Sequence, residues 1–279
     1  MVVDGGTNPE QNKESYSQPD MVVVMTPMHR TLEAVTAFCI EKAHAVGLPF
    51  VWSPHPGDAL IGRARSIQAT WFLEKCPYDH AIFLDSDIVF EPENLAKLIL
   101  NLKEGHDLIG GVYVVRHAQQ LAHYNTGGKT IIDGSIKPIT YLSTGFMGFS
   151  KKLLQKMVDE LDMPILHEKF TPFRCYPFFE SGRWWHEEDK QWIYVSEDWD
   201  FCDKARKVDI QAELDTSILL GHQGNHVFTL DQLPANVMQK IDSPDSKPKP
   251  KPTIHLPTSE SLNRTQRRQQ ERELLKVRG

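Results

Sequence analysis

Two carboxylates one residue apart, Asp85 and Asp87, close an apolar run rich in β-formers, Ala81-Ile82-Phe83-Leu84. A buried strand that stops at an Asp-x-Asp pair delivers acids to the carboxyl edge of a sheet, where open α/β sheets bind ligands. Two acids there can hold a hard divalent cation, and the cation can hold a diphosphate. Asp and Ser also favour turns, so Asp85-Ser86-Asp87 alone is compatible with an ordinary polar turn. Three further groups bear on the choice. Arg63 and Arg65, in Gly62-Arg63-Ala64-Arg65-Ser66, stand near the start of an expected helix. From there arginines can fork onto phosphate or a base, or make a surface ion pair. Glu197 and Asp198 open another helix in Ser196-Glu197-Asp198-Trp199-Asp200. Acids at that position complement the helix dipole, and one of them can also take a proton from an acceptor hydroxyl. Spacing does not separate the two. His222, in Gly221-His222-Gln223-Gly224, can approach a metal as neutral imidazole or sit in a turn without a partner.

The elements that must position these groups follow from the apolar periodicity. Met21 to Met25 reads as a short buried strand ended by Thr26-Pro27. Thr31 to Ala45 has helical spacing through Leu32, Val35, Phe38 and Ile40, with Gly47 as a stop. Leu48 to Trp52 is a second strand, followed by a loop with Pro54 and Pro56 and a helix from Leu60 to Lys75. His80 to Leu84 is the third strand, Pro92 to Lys103 a helix, and Leu108 to Tyr113 a fourth strand. Strands alternating with helices in this rhythm argue for a mostly parallel sheet with helices on both faces. Leu121 to Tyr124, Thr130 to Asp133 and Ile139 to Leu142 read as short strands of a small antiparallel extension. A helix is expected over Lys151 to Leu161. Phe170 to Trp192 reads as a long aromatic loop or lid. Ser196 can cap a helix to Lys207, Gln211 to Leu214 is a last strand, and Gly221 to Gly224 a turn.

The domain spans residues 21–241, after a polar leader over 1–20. A Pro/Lys-rich linker over 242–262 and a basic tail over 263–279, helical or solvated, follow it. The formal net charge of −6 argues against a surface that is wholly a nucleic-acid footprint. Cys39, Cys76, Cys175 and Cys202 stand at no metal-binding spacing, which suits a reducing compartment. The leader has no apolar core of a signal peptide, and no stretch is long and apolar enough to span a bilayer. A soluble, cytoplasmic protein is the expectation.

In order along the chain, Thr26-Pro27, Ala64-Arg65, Phe83 to Ile88, Ile109-Gly110-Gly111-Val112-Tyr113, Ser143-Thr144-Gly145-Phe146-Met147, Ser196 to Cys202 and Gly221-His222 form a set. The set resembles the GT-A glycosyltransferases, the small family-2-like enzymes with a DxD motif found in bacteria and phages. The resemblance covers about Val22 to Phe228. It implies a single GT-A (Rossmann-like) α/β domain, and a Mn²⁺ or Mg²⁺ ion on Asp87 and His222, with Asp85 touching the metal or the nucleotide ribose. It further implies donor contacts from Thr26, Pro27, Arg63, Arg65, Asp85, Ser86 and Gly145, with Asp198, or Glu197 beside it, as the base of an inverting transfer.

The implied reaction is metal-dependent hexosyl transfer from a nucleotide sugar, a UDP-sugar in the first instance, to an acceptor hydroxyl. The acceptor is a glycan, a small molecule, or a hydroxymethylated pyrimidine in DNA as in phage DNA modification, with the host cytoplasm as the place if the gene is a phage's. Arg174, Arg183 and the basic tail supply phosphate-binding capacity for the DNA case. Two alternatives stand beside this. One is a sugar-phosphate nucleotidyltransferase, against which Thr26-Pro27-Met28-His29-Arg30 lacks a glycine-rich loop. The other is a nucleotide-sugar-binding protein without turnover.

Overall fold

The computed structural model describes residues 21–116, 120–125, 130–167, 169, 173–187 and 190–233. The leader, the Pro/Lys-rich linker and the basic tail lie outside the described residues.

In chain order the elements are β1 (Val22–Met28), α1 (Ala34–Ala45), β2 (Phe50–Pro56), α2 (Ile61–Glu74), β3 (His80–Leu84), β4 (Ile88–Val89), α3 (Pro92–Lys103) and β5 (Leu108–Val112). Then come β6 (Ile136–Pro138), β7 (Phe146–Ser150), α4 (Lys151–Glu160), β8 (Leu166–His167), β9 (Arg174–Cys175), β10 (Gly182–His186) and β11 (Gln191–Val195). The described part ends with α5 (Glu197–Lys207), β12 (Glu213–Leu219), β13 (Gly221–Gln223), β14 (Val227–Phe228) and a single 3₁₀ turn (Leu230–Gln232).

A seven-stranded sheet runs in the order β2-β1-β3-β7-β5-β12-β6. The pairs β1/β2, β1/β3 and β5/β12 are parallel, whereas β7 runs against both neighbours and β6 against β12. The sheet is buried on both faces. Val23, Met25, Phe83 and Phe149 pack with Phe72 of α2, Leu153 and Met157 of α4 and Phe201 of α5. On the opposite face Val22, Val24, Ile82 and Phe146 pack with Cys39 and Ile40 of α1 and Leu95, Leu98 and Leu102 of α3. The inner strands β3, β5 and β7 are therefore nearly continuous apolar runs, as two-sided burial requires. The expected fold class, a mostly parallel sheet between two helical layers, is what the chain adopts.

Helix starts follow local chemistry. At α3, Glu91 N–H donates to Asn94 Oδ1 at 2.9 Å and Pro92 sits in the first turn, a capping box with a proline that loses nothing there. At α4, Ser150 Oγ accepts from Leu153 N–H at 3.0 Å. At α5, Glu197, Asp198 and Asp200 lie in the first turn and Lys204, Arg206 and Lys207 in the last, matching the dipole at both ends. Ser196 does not cap α5 through its side chain; its hydroxyl donates instead to Asp198.

Several expectations are corrected. β1 does not stop at Thr26-Pro27 but continues to Met28, with Pro27 opposite His55. β2 carries Pro54 and Pro56 inside the strand, which is tolerated because β2 is the sheet edge and its outer side needs no ladder donor. Leu121 to Tyr124 and Ile139 to Leu142 form no strands, only the isolated bridges Val114 to Leu121 and Tyr124 to Tyr141; the extension strand is Ile136–Pro138. The strand expected at Gln211 to Leu214 begins at Glu213 and runs to Leu219. The aromatic segment is not a loop throughout, because β10 and β11 pair as an antiparallel hairpin. Gly221 to Gln223 is a strand rather than a turn.

Burial leaves a few polar atoms short of partners among the described residues: Arg65 Nε, Gln68 Oε1 and the His123 ring. Both ring nitrogens of His123 lack a hydrogen bond among the described residues, and burial pushes its pKa down to about 4 from 6.5. The folded ring stays neutral where the unfolded chain takes up a proton, so its stabilising share is complete above pH 6.5 and is lost as pH falls toward 4. His80 and His222 are depressed by burial in the same sense. We expect the unfolding free energy to drop by roughly 3 kcal/mol over that window from His123 alone. Urea titrations across the pH range should show a shallower slope in His123→Leu; an unchanged slope would refute the assignment.

Candidate active site

The Asp-x-Asp turn leaves β3 at the carboxyl edge of the sheet. Its backbone is tied from three directions. Asp85 N–H donates to Gly145 O at 3.0 Å, Glu33 N–H to Ser86 O at 2.9 Å, and Gln223 N–H to Asp87 O at 2.7 Å. The chain then enters β4, which pairs with β13 so that Ile88 faces His222 and Val89 faces Gly221. This two-residue pairing is what carries His222 across the fold to Asp87. Its Nε2 lies 3.5 Å from Asp87 Oδ1.

The imidazole is oriented by its other nitrogen, since Nδ1–H donates to Val114 O at 2.9 Å. That bond leaves the Nε2 lone pair on the Asp87 side, the arrangement a metal-ligating histidine needs. Burial depresses the His222 pKa, which keeps the ring neutral. Among the described residues no three His, Cys, Asp or Glu side chains gather into a metal-holding group. A carboxylate and a neutral imidazole fit a hard or borderline divalent cation as two of its ligands, with diphosphate oxygens and water as the natural remainder. Asp87 is also paired with Arg116, a basic side chain that arrives after β5 has already ended at Val112.

Arg65 is buried, and its guanidinium does not face outward. One arm bonds Asp85 Oδ1 at 2.6 Å and the other meets Glu197 Oε1. It therefore joins the strand-end acid to the first turn of α5. Gly62, not singled out among the expected contacts, makes this reach possible. A Cβ there would stand 2.9 Å from Phe179 O and 3.4 Å from Glu197 Cβ, so only glycine lets α2 approach so closely. Arg63 instead pairs with Asp58 through Nε and Nη2, both at 2.9 Å, on the surface side of the helix.

The three acids in the first turn of α5 are not equivalent. Glu197 is held by Arg65; burial raises its pKa, and the Arg65 charge opposes that rise. Asp200 pairs with Lys204 at 2.5 Å and accepts from Glu180 N–H. Asp198 is the half-buried acid with no cationic partner among the described residues. Its Oδ1 accepts from Ser196 Oγ and from Trp199 N–H, the latter at 2.9 Å, which fixes the carboxylate's direction.

Two of the expected donor contacts are placed differently. Thr26 is fully buried, and its hydroxyl oxygen accepts from Trp52 Nε1 at 2.9 Å. Gly145 is required by Tyr113, since a Cβ would come within 2.5 Å of the phenol oxygen, which already accepts from Gly145 N–H at 2.9 Å. Ser86 and Pro27 stay at the mouth of the carboxyl edge, half-buried and buried respectively.

No family model matches this chain, and no curated protein matches it. Among solved structures, the crystal structure of A197 from STIV is similar at 16% identity and TM-score 0.52, over 76% of this chain and 91% of that one. With the strand order above, that likeness makes the fold a single GT-A-like α/β domain. Weaker similarity extends to a glycosyltransferase involved in glycosylation of the major capsid of PBCV-1, at 20% identity and TM-score 0.30, over 48% of this chain and 62% of that one. It extends also to S. aureus TarS in complex with UDP-GlcNAc, at 13% identity and TM-score 0.34, over 69% and 55%. Overlaps this small say nothing about what this chain binds. No helix among the described residues is long and apolar enough to cross a membrane.

Proposed function

We propose that this domain is a metal-dependent, inverting glycosyltransferase that uses a nucleotide-diphosphate sugar, with a UDP-sugar as the first donor to try. The observation that carries the reading is the meeting of Asp87 and His222, 3.5 Å apart although far apart along the chain, with the imidazole fixed in the ligating tautomer. Asp87 and His222 would hold Mn²⁺ or Mg²⁺, which supplies neutralisation of the diphosphate and of the leaving nucleotide.

The remaining roles belong to the chain itself. Asp85, held by Arg65, is oriented to accept from a ribose hydroxyl or a metal-bound water. Asp198 takes the proton from the acceptor hydroxyl as that oxygen attacks the anomeric carbon, and the carbon–diphosphate bond breaks on the opposite face. Glu197, committed to Arg65, acts as a strut for the site rather than as the base. Orientation of the two substrates supplies much of the rate.

The test is the product. Incubation with UDP-sugars and Mn²⁺ should release free UDP. Release of pyrophosphate from a nucleoside triphosphate and a sugar phosphate would instead establish nucleotidyl transfer.

A further inference from the structure

The buried carboxylate of Asp87 is met on both oxygens by bases of different kinds. His222 Nε2 stands 3.5 Å from Oδ1, and Arg116 Nη2 pairs with Oδ2. The two are held very differently. His222 is fixed on every side: Nδ1–H donates to Val114 O at 2.9 Å, the ring meets Tyr113 edge to face at 5.6 Å, and its strand pairs with β4. For Arg116 only the backbone is placed. Ala122 N–H donates to Tyr113 O at 3.0 Å, Val114 bridges Leu121, and Val115 N–H donates to Gln120 O at 3.1 Å. A Cβ on Gly224 would stand 3.8 Å from Arg116 Cβ, so the stem of the side chain rises beside the turn after β13.

The Arg116 side chain itself is 56% exposed and spans to one carboxylate. Arg65 is the contrast within the same site: it is buried and bonded to two carboxylates from different elements, Asp85 and Glu197. Arg65 is a strut, whereas Arg116 is a cation on a long solvated stem that can re-aim without breaking the fold. A guanidinium on Oδ2 takes lone pairs that a divalent cation on Asp87 needs, and its charge opposes a second cation at close range. A bare ion has nothing to give Arg116 in return. A nucleoside diphosphate does, because phosphate oxygens accept both arms of a guanidinium fork.

We propose that Arg116 exchanges partners as the donor site loads, leaving Asp87 for the diphosphate, and so makes cation binding depend on the nucleotide that accompanies it. The proposal rests on the glycosyltransferase reading. No bond is made or broken in the exchange except hydrogen bonds and ion pairs. The test is isothermal titration of the full chain as wild type, Arg116→Gln and Arg116→Lys, with three titrants: Mn²⁺ alone, UDP with saturating Mn²⁺, and UDP with chelator. Circular dichroism establishes that each variant is folded.

The expected result is a pair of opposite shifts in Arg116→Gln: Mn²⁺ alone binds about tenfold tighter, and UDP with Mn²⁺ about tenfold weaker. Arg116→Lys, which keeps the charge and loses the fork, should lie between wild type and Arg116→Gln on both measures. Affinities that fall together in Arg116→Gln would make Arg116 a fixed support for Asp87 and overturn the proposal, as would no gain for Mn²⁺ alone or no loss for UDP; with wild-type UDP binding intact, each leaves the donor site standing. UDP binding that persists in chelator and vanishes in Arg116→Gln would make the guanidinium the counter-ion in place of a metal, which also overturns the exchange. A wild type that binds neither Mn²⁺ nor UDP removes the donor site, and the proposal with it.

Discussion

Asp198→Asn is expected to keep donor binding and to lose sugar transfer by about a hundred- to ten-thousand-fold, the range of a removed general base. The expectation follows from how the three acids of the first turn of α5 are engaged. Glu197 and Asp200 are already matched to Arg65 and Lys204. Asp198 alone has its direction set by neutral donors, Ser196 Oγ and Trp199 N–H, and keeps no cation among the described residues. The amide keeps the side chain's shape and cannot accept the proton. A parallel Glu197→Gln variant separates the two roles. It should disturb stability more than the chemical step, because it removes a charge that Arg65 needs. Single-turnover transfer assays with saturating donor measure this directly. Equal losses of transfer in the two variants, or a loss confined to Glu197→Gln, would reassign the base.

Arg65→Ala should cost about 3–5 kcal/mol of unfolding free energy, the scale of a buried ion pair broken on one side. Arg65 is 3% exposed and serves two carboxylates from different parts of the chain. Its removal leaves Asp85 and Glu197 facing each other without a counter-charge in a partly desolvated site. Arg65→Lys keeps the charge but not the fork, so it should recover part of the loss and not all of it. Urea denaturation of the three proteins gives the comparison. A change of less than about 1 kcal/mol in Arg65→Ala would place the pair among ordinary surface salt bridges. It would also free Arg65 for the nucleotide contact that the sequence pattern suggests.

The sequence is most readable where local signals are complete. β3, α3 and α5 fall at the expected residues because an apolar run, a proline-led capping box and an acid-rich first turn each mark their own boundaries. β7 is harder, because Phe146-Met147-Gly148-Phe149-Ser150 is buried on both faces and has no alternation to mark it. The hairpin is obscured by the prolines and glycines around it, and its partner strands are defined only by their pairing.

The site follows the same division. Asp85, Asp87, His222 and Asp198 are recognisable by residue type and order. What holds them is non-local. His222 depends on β4 meeting β13, and Arg65 bonds a residue 132 positions away. Nor does residue type reveal that Glu197 is committed to a cation while Asp198 is not.

The central claim is that Asp87 and His222 hold the cation that holds the donor. It is tested most directly by calorimetric titration of UDP into wild type and Asp87→Ala, each with Mn²⁺ and with chelator. The account predicts binding that requires Mn²⁺ in the wild type and is absent in Asp87→Ala, with both proteins folded by circular dichroism. UDP binding of equal strength in all four conditions would contradict it.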